Sequence, residues 1–205
     1  MTSILYFTLG FTGSFFGTIP LGPINLSVVD TTLKEGVKSA MALSIAAAII
    51  EFVYTFFSYH FSAFLTNIFI HNPRIPYFIG ILFFFAGILL MFKKSKAKPD
   101  GSSGSKGNSF CKGLILAILN PLAIPFWLFL IGYYQMHQLI APNLPRLSLL
   151  VLIFVSGAAT GKITSLYLFS LASYKISHRL SYISLYMDKV IGVILIIIGL
   201  SQMIG

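Results

Sequence analysis

The sequence predicts an all-α integral membrane protein: six transmembrane helices arranged as two inverted-topology three-helix repeats, with helices one and four broken. Three observations predict it. First, 57% of the 205 residues are hydrophobic and 9% are charged, with a mean hydropathy of +0.89, whereas a soluble domain carries about a quarter charged residues. Second, apolar stretches near the roughly 20 residues needed to cross the hydrocarbon core recur along the chain, and no polar segment is long enough to build a separate soluble domain. Third, two of these stretches are interrupted by proline and asparagine: Pro20-Leu21-Gly22-Pro23-Ile24-Asn25 near the start and Asn120-Pro121-Leu122-Ala123-Ile124-Pro125 past the midpoint. In a bilayer every backbone group needs a partner within the protein, so a broken helix is tolerated only where protein or a watery cavity takes up the freed groups.

The expected spans are 3–29, 38–61, 76–92, 112–135, 147–173 and 187–204. The first and fourth are long because a bent or partly unwound span needs extra residues. The third is short, and Pro73 and Pro76 precede it. Between the third and fourth spans lies Lys93-Lys94-Ser95-Lys96-Ala97-Lys98, followed by a Gly/Ser-rich run to Gly107. That composition cannot build a core and reads as a flexible linker. The chain therefore divides into a first repeat at 1–92, a cytoplasmic linker at 93–111 and a second repeat at 112–205.

Orientation follows from the basic residues, which are enriched in short cytoplasmic loops. Loops one, three and five carry Lys34, Lys38, Lys93, Lys94, Lys96, Lys98, Lys106, Lys112, Lys175, Arg179 and Lys189; loops two and four carry only Arg74 and Arg146. Both termini are expected outside. A three-span unit starting outside is then followed by one starting inside, the inverted-repeat plan of many secondary transporters. With the basic residues lying between apolar runs rather than on one soluble face, a nucleic-acid partner is not expected. Cys111 is the only cysteine, which excludes an intramolecular disulfide. The N-terminus lacks the basic region of a cleaved signal peptide, so the first apolar segment is expected to be retained.

Glu51 and Lys162 each fall near the middle of a span. A lone charge there costs about 2.5 to 3.5 kcal/mol even on lenient insertion scales, so such residues face a cavity or a partner. Ser44, Ala48, Glu51, Thr55 and Ser58 recur at helical spacing and give the second span a small, polar stripe; Ala158, Gly161, Lys162 and Ser165 do the same in the fifth. Gly157 and Gly161 add a small-xxx-small pattern that permits close helix approach. One reading makes Glu51 and Lys162 a structural pair that fixes packing. The other has them line a transport cavity, Glu51 holding a substrate ammonium or a coupling proton and Lys162 offsetting it or holding a carboxylate.

At the two breaks a proline kink that only improves packing is the plain alternative. Two breaks in equivalent spans favour a cavity, where half-helix N-termini offer amides to anions and freed carbonyls hold cations. The expected binding or coupling residues are Pro20, Gly22, Pro23, Asn25, Glu51, Asn120, Pro121, Pro125 and Lys162. His60, His71, His137 and His178 share no metal-ligand spacing, so no metal site is expected. Asp30 and Asp188 sit at span edges on the cytoplasmic side, Asp30 near enough to the first break to join an inner gate. Tyr133, Tyr134, Tyr182 and Tyr186 read as interface anchors. No nucleophile-base constellation, phosphate loop or cofactor fingerprint is present, so neither an enzyme nor a bound cofactor is expected.

The run from Pro20 to Asn25, followed by Lys34-Glu35-Gly36-Val37-Lys38-Ser39-Ala40, resembles the first repeat of the LysE/RhtB-type amino-acid exporters. There a Gly-Pro-x-Asn break leads to a basic, Gly-containing turn and a small-residue helix. Gly113 with Leu119-Asn120-Pro121-Leu122-Ala123 is similar to that family's second-half Asn-Pro motif, and Asp188-Lys189-Val190-Ile191-Gly192 with Gly199 looks like its last helix. The resemblance runs over nearly the whole chain and preserves motif order. It implies export of amino acids or related small metabolites across the bacterial cytoplasmic (inner) membrane, driven by proton antiport. Glu51 matches the acidic residue the family often places in its second helix.

The chain departs from the pattern at Leu122, where the family often has lysine, at Thr164, near where it often has tryptophan, and at Lys162, which is outside the pattern. A cationic cavity residue repels a basic substrate, so a neutral or anionic metabolite is expected. The expected partners are a small-molecule substrate, a proton and the lipid bilayer, with a homodimer left open. The alternatives are an exporter of a metal cation or another small ion, disfavoured because Glu51 is the one acidic residue away from the span edges and no Cys or His cluster accompanies it, and a non-transporting membrane assembly factor.

Overall fold

The computed structural model describes residues 2–20, 22–71, 74–92, 108–120, 122–142, 144–145, 147–176, 189, 192–193, 196–197 and 199–200. The regular structure is helical throughout these residues: α1 (Thr2–Thr18), α2 (Pro23–Glu35), α3 (Val37–His71), α4 (Arg74–Phe92), α5 (Ser109–Ile118), α6 (Ala123–Met136) and α7 (Leu149–Ile176). Two helical stretches, Val37–Ser62 and Leu149–Lys175, are each long and apolar enough to cross a membrane, and up to four spans result if each of two bent pairs counts as one. The linker at 93–107, most of the sixth expected span, Pro121, Arg146, His178, Arg179, Tyr182, Tyr186 and Asp188 lie outside the described residues.

The bent pairs are the segments expected to be broken. α1 and α2 meet at 75°, and α5 and α6 at 62°. At the first break Pro20 follows the last turn of α1, which tightens through Ile19 N–H donating to Phe16 O at 3.1 Å. Pro23 then opens α2, where its missing N–H is no loss and its fixed φ suits a first turn. Pro125 turns out to belong to the first turn of α6 rather than to the break. Between α2 and α3 the chain turns on Gly36 alone, at φ 90° and ψ 170°, a conformation open to glycine and strained for other residues.

The chain forms two compact units. One comprises Met1–Phe64 and Ser103–Ser177, and the other Leu65–Ser102 and His178–Gly205. Each draws on both halves of the sequence. In the second unit α4 packs on helical residues of the C-terminal segment through glycines. A Cβ on Gly87 would meet Gly192 O at 2.5 Å, and one on Gly199 would meet Gly80 O at 2.6 Å.

In the first unit glycines also set the helix spacing. A Cβ on Gly157 or Gly161 of α7 would run into the carbonyl oxygens of Phe7 and Phe11 on α1, and one on Gly10 of α1 into that of Phe154 on α7. The expected small-xxx-small contact is therefore real, and α1 is its partner. A Cβ on Gly113 of α5 would likewise strike Leu43 O of α3. α3 and α7 run antiparallel. Tyr59, late in α3, packs at a tilt against Phe154, early in α7, with ring centroids 5.9 Å apart, whereas Leu43 and Ala47 share a cluster with Leu166.

Two apolar clusters result. One is aromatic, built on Tyr6, Tyr59, Trp127, Tyr134 and Phe154; the other is aliphatic, built on Ile24, Val28, Ala40, Leu43 and Leu166. The connection between α6 and α7 folds onto the aromatic cluster, with Ile140 buried in it. Ala141 N–H donates to Tyr6 Oη at 2.7 Å, and Tyr59 Oη–H donates to Ala141 O at 2.5 Å.

Candidate functional site

Within the spans, several buried hydroxyls find partners on their own helix. Thr18 donates to Ser14 O, Ser44 to Ala40 O and Thr55 to Glu51 O, at 2.7 to 2.8 Å. This local bonding lets polar residues enter an apolar interior at little cost. Ser44, Ala48, Glu51, Thr55 and Ser58 are all buried, as are Ala158, Lys162 and Ser165, so both predicted stripes face protein.

The stripes converge on one ion pair. Lys162 Nζ lies 3.3 Å from Glu51 Oε2, and the two side chains are 8% and 9% exposed. The other carboxylate oxygen is also held: Trp127 Nε1–H donates to Glu51 Oε1 at 2.9 Å, and Ser14 Oγ–H at 3.4 Å. Glu51 therefore joins four helices, α1 through Ser14, α3, α6 through Trp127 and α7 through Lys162. A buried carboxylate is tolerated when its lone pairs are met by a countercharge and further donors, and here three donors from three helices meet them.

Ser14 and Trp127 were not legible as site residues. Trp127 is the only tryptophan of the chain and is fully buried, with its ring edge-on to Phe126 and Phe154. Its place just after the Asn120–Pro125 interruption was the available signal. Tyr134 also differs from its expected role as an interface anchor. It is 8% exposed, sits in the aromatic cluster and donates to Leu9 O at 3.4 Å, whereas Tyr133 is exposed.

The backbone groups freed at the breaks are largely taken up by side chains. Asn25 Nδ2 donates to Thr18 O at 2.5 Å and to Pro20 O at 3.2 Å, closing the carbonyl end of α1. Tyr54 Oη–H does this for Ile118 O at the end of α5, at 2.8 Å. Asn120 acts in the opposite sense: its Oδ1 accepts from Leu122 N–H at 3.2 Å, an Asx turn leading into α6. Both asparagines bond backbone at their breaks, and Thr18 O, Pro20 O and Ile118 O, among the carbonyls freed there, each accept a side-chain hydrogen bond. The N-cap positions Gly22 and Leu122 make no side-chain cap bond, which leaves amides at the starts of α2 and α6.

At the other end of α2, Asp30 is half-exposed and paired with Lys34 at 2.8 Å. Ser109 donates to Glu35 Oε2 at 2.8 Å, and Lys112 Nζ to Thr31 Oγ1 at 3.4 Å, tying α2 to α5. His60 packs against Phe56 and Tyr59, and His137 against Tyr133.

An apolar cavity of about 410 Å³ beside the first break is lined by Thr12, Gly13, Phe16, Pro20, Phe126 and Tyr134, among others. A second, of about 290 Å³, lies between α3 and α7 against Ala48, Ile49, Phe52 and Ile163. Neither is lined by Glu51 or Lys162. The pair sits enclosed between the aromatic and aliphatic clusters.

Over 152 residues the chain is 29% identical to "Putative amino acid efflux protein YcgF" of Bacillus subtilis (strain 168), a match that covers 69% of this chain and 68% of that protein. No solved structure matches. The family model described as LysE type translocator matches residues 15–205, which takes in both breaks, Glu51, Trp127 and Lys162. The chain belongs to the LysE type translocator family.

Proposed function

We propose that this translocator exports an amino acid or related small metabolite by proton antiport and alternating access, with Glu51 as the coupling group. The observation that carries this reading is the enclosed Glu51–Lys162 pair, held by Ser14 and Trp127 where two bent helices meet the longest spans. A charge pair matches the two charges of an amino-acid zwitterion in reverse. Opening it gives the ammonium to Glu51 and the carboxylate to Lys162, so the buried site is neutral both as the closed pair and with the zwitterion bound. A cationic substrate would leave an uncompensated charge beside Lys162, which favours neutral metabolites. The efflux activity in the name of the Bacillus relative agrees with the direction.

The proposed scaffold is six spans in two inverted three-helix repeats, in the inner membrane with both termini outside. Several contacts recur between the halves in support of it. Gly10 of α1 abuts Phe154 O, and Gly113 of α5 abuts Leu43 O. The interval from Leu43 to Phe154 equals that from Glu51 to Lys162. In the second unit Gly80 faces Gly199 while Gly87 faces Gly192, the reciprocal pattern of an isologous contact. On this symmetry Glu51 and Lys162 are equivalent positions that meet on the axis. The aromatic and aliphatic clusters then serve as the two gates, since an enclosed pair is reached only when one of them opens.

Reconstituted vesicles loaded with single amino acids, with and without an imposed proton gradient, test the proposal. Wild type accelerates efflux of a neutral amino acid when the gradient is present, and Glu51→Gln abolishes that acceleration while remaining folded. Gradient-driven export by Glu51→Gln at the wild-type rate would defeat the coupling role.

A further inference from the structure

A polar seam leads away from Glu51 between α3 and α6. On α3, Glu51, Thr55, Ser58 and Ser62 share one buried face. Two rungs tie this face to α6: Trp127 to Glu51 at one end, and Gln135 Nε2 donating to Ser62 Oγ at 3.1 Å at the other. Along α3 the rungs are separated by about 16 Å at the usual 1.5 Å rise per residue, and the seam runs from the charge pair toward the 137–148 connection.

Two polar atoms in that seam have no partner in the protein. Ser58 Oγ is buried between the rungs without the bond to its own helix that Ser44 and Thr55 make, and Gln135 Oε1 is unmatched beside the outer rung. Leaving such a group unmatched costs about 1 to 3 kcal/mol. A hydroxyl and a carboxamide oxygen in one seam are the partners a water needs. α7 carries the only other unmatched buried hydroxyl among the described residues, Ser173, on the far side of Lys162.

We propose that the α3–α6 seam is a water-holding path that delivers protons to Glu51 from the face carrying the 137–148 connection, relayed past Gln135 and Ser58. A hydronium ion at the seam gives its proton to Glu51 Oε2 and leaves as water. The carboxyl becomes neutral, and Lys162 loses the charge that holds it, while Oε1 stays with Trp127 and Ser14. Among the described residues the groups facing Glu51 are Lys162 from α7, Trp127 from α6 and Ser14 from α1. Of these only Lys162 is charged. Farther along lie His60 of α3, against Tyr59, and Tyr134 of α6. The proposal rests on Glu51 as the coupling group but not on the identity of the cargo.

The sole tryptophan supplies the readout, because its indole N–H bonds the carboxylate. The protein is reconstituted in vesicles, and its sidedness is fixed by reacting the exposed Cys111 with an impermeant maleimide. A rapid acid jump is applied to the 137–148 face and Trp127 emission is followed. Wild type responds, and Glu51→Gln does not. Ser58→Ala and Gln135→Leu each slow the response about tenfold, the effect of losing one relay bond worth about 1.4 kcal/mol, with unchanged final amplitude. Ser173→Ala leaves the rate at the wild-type value. Wild-type rates in both seam variants would overturn the proposal, as would a response that survives in Glu51→Gln. Vesicles that show the pH response but no amino-acid efflux would sink the exporter reading and leave the seam standing.

Discussion

Removing the ammonium from the central pair tests whether the protein depends on it. In Lys162→Met the chain keeps a similar volume, and Glu51 keeps its bonds from Trp127 and Ser14 but loses its countercharge. At 3.3 Å and an effective dielectric constant of about 20, the lost attraction is about 5 kcal/mol. Both groups are nearly fully buried, so solvent screening does little to reduce it. Breaking a buried pair by removing one partner typically destabilises by about 3 to 5 kcal/mol, because a charge is stranded. The double variant Glu51→Gln/Lys162→Met strands none, and its carboxamide oxygen can still accept from Trp127. It should recover all but about 1 to 2 kcal/mol of the loss, the scale of a hydrogen bond no longer charge-assisted. Denaturant titration in mixed micelles, followed by the emission of Trp127, measures all three proteins. A Lys162→Met protein within about 1 kcal/mol of wild type, or a double variant no more stable than the single one, would refute the reasoning.

Other outcomes follow from the packing. Gly10→Ala should lower the unfolding temperature in detergent, since its Cβ meets backbone of α7 that cannot swing aside, at a cost of about 1 to 3 kcal/mol. Asn25→Leu, close in shape, leaves Thr18 O and Pro20 O unmatched and should destabilise by about 1 to 3 kcal/mol in the same titration. Tyr59→Phe removes one of the two bonds that pin Ala141. Amide exchange across residues 137–142 should then quicken about fivefold, the kinetic equivalent of about 1 kcal/mol.

The sequence revealed features whose cost does not depend on their neighbours. A charge inside an apolar run is expensive whatever surrounds it, so Glu51 and Lys162 stood out before any geometry was known. Proline stops a helix by its own covalent structure, so both breaks were legible to within a few residues. Partner choice was less so, because it depends on how helices rotate and slide against one another. The place of Trp127 beside a break hints at a site but does not name Glu51 as its partner, and residue order does not say that Gly157 and Gly161 seat against α1. Tyr134 differs for the same reason: a tyrosine near a span end suits an interface, and only the packed structure sets it against Leu9 of α1 and Phe154 of α7. The asparagines were placed correctly at the breaks, but their work there is to bind backbone, which composition alone does not reveal.

The glycine contacts have a mechanical meaning. Where two helices touch backbone to backbone, there is no side chain between them to flex, so they move as one piece. Gly10, Gly157 and Gly161 join α1 to α7 in this way, and Gly113 joins α5 to α3. Lys162 rides on the first of these stiff couples and Glu51 on the second. The ion pair thus links two glycine-seated couples, and under the proposed mechanism neutralising either charge would free one couple from the other.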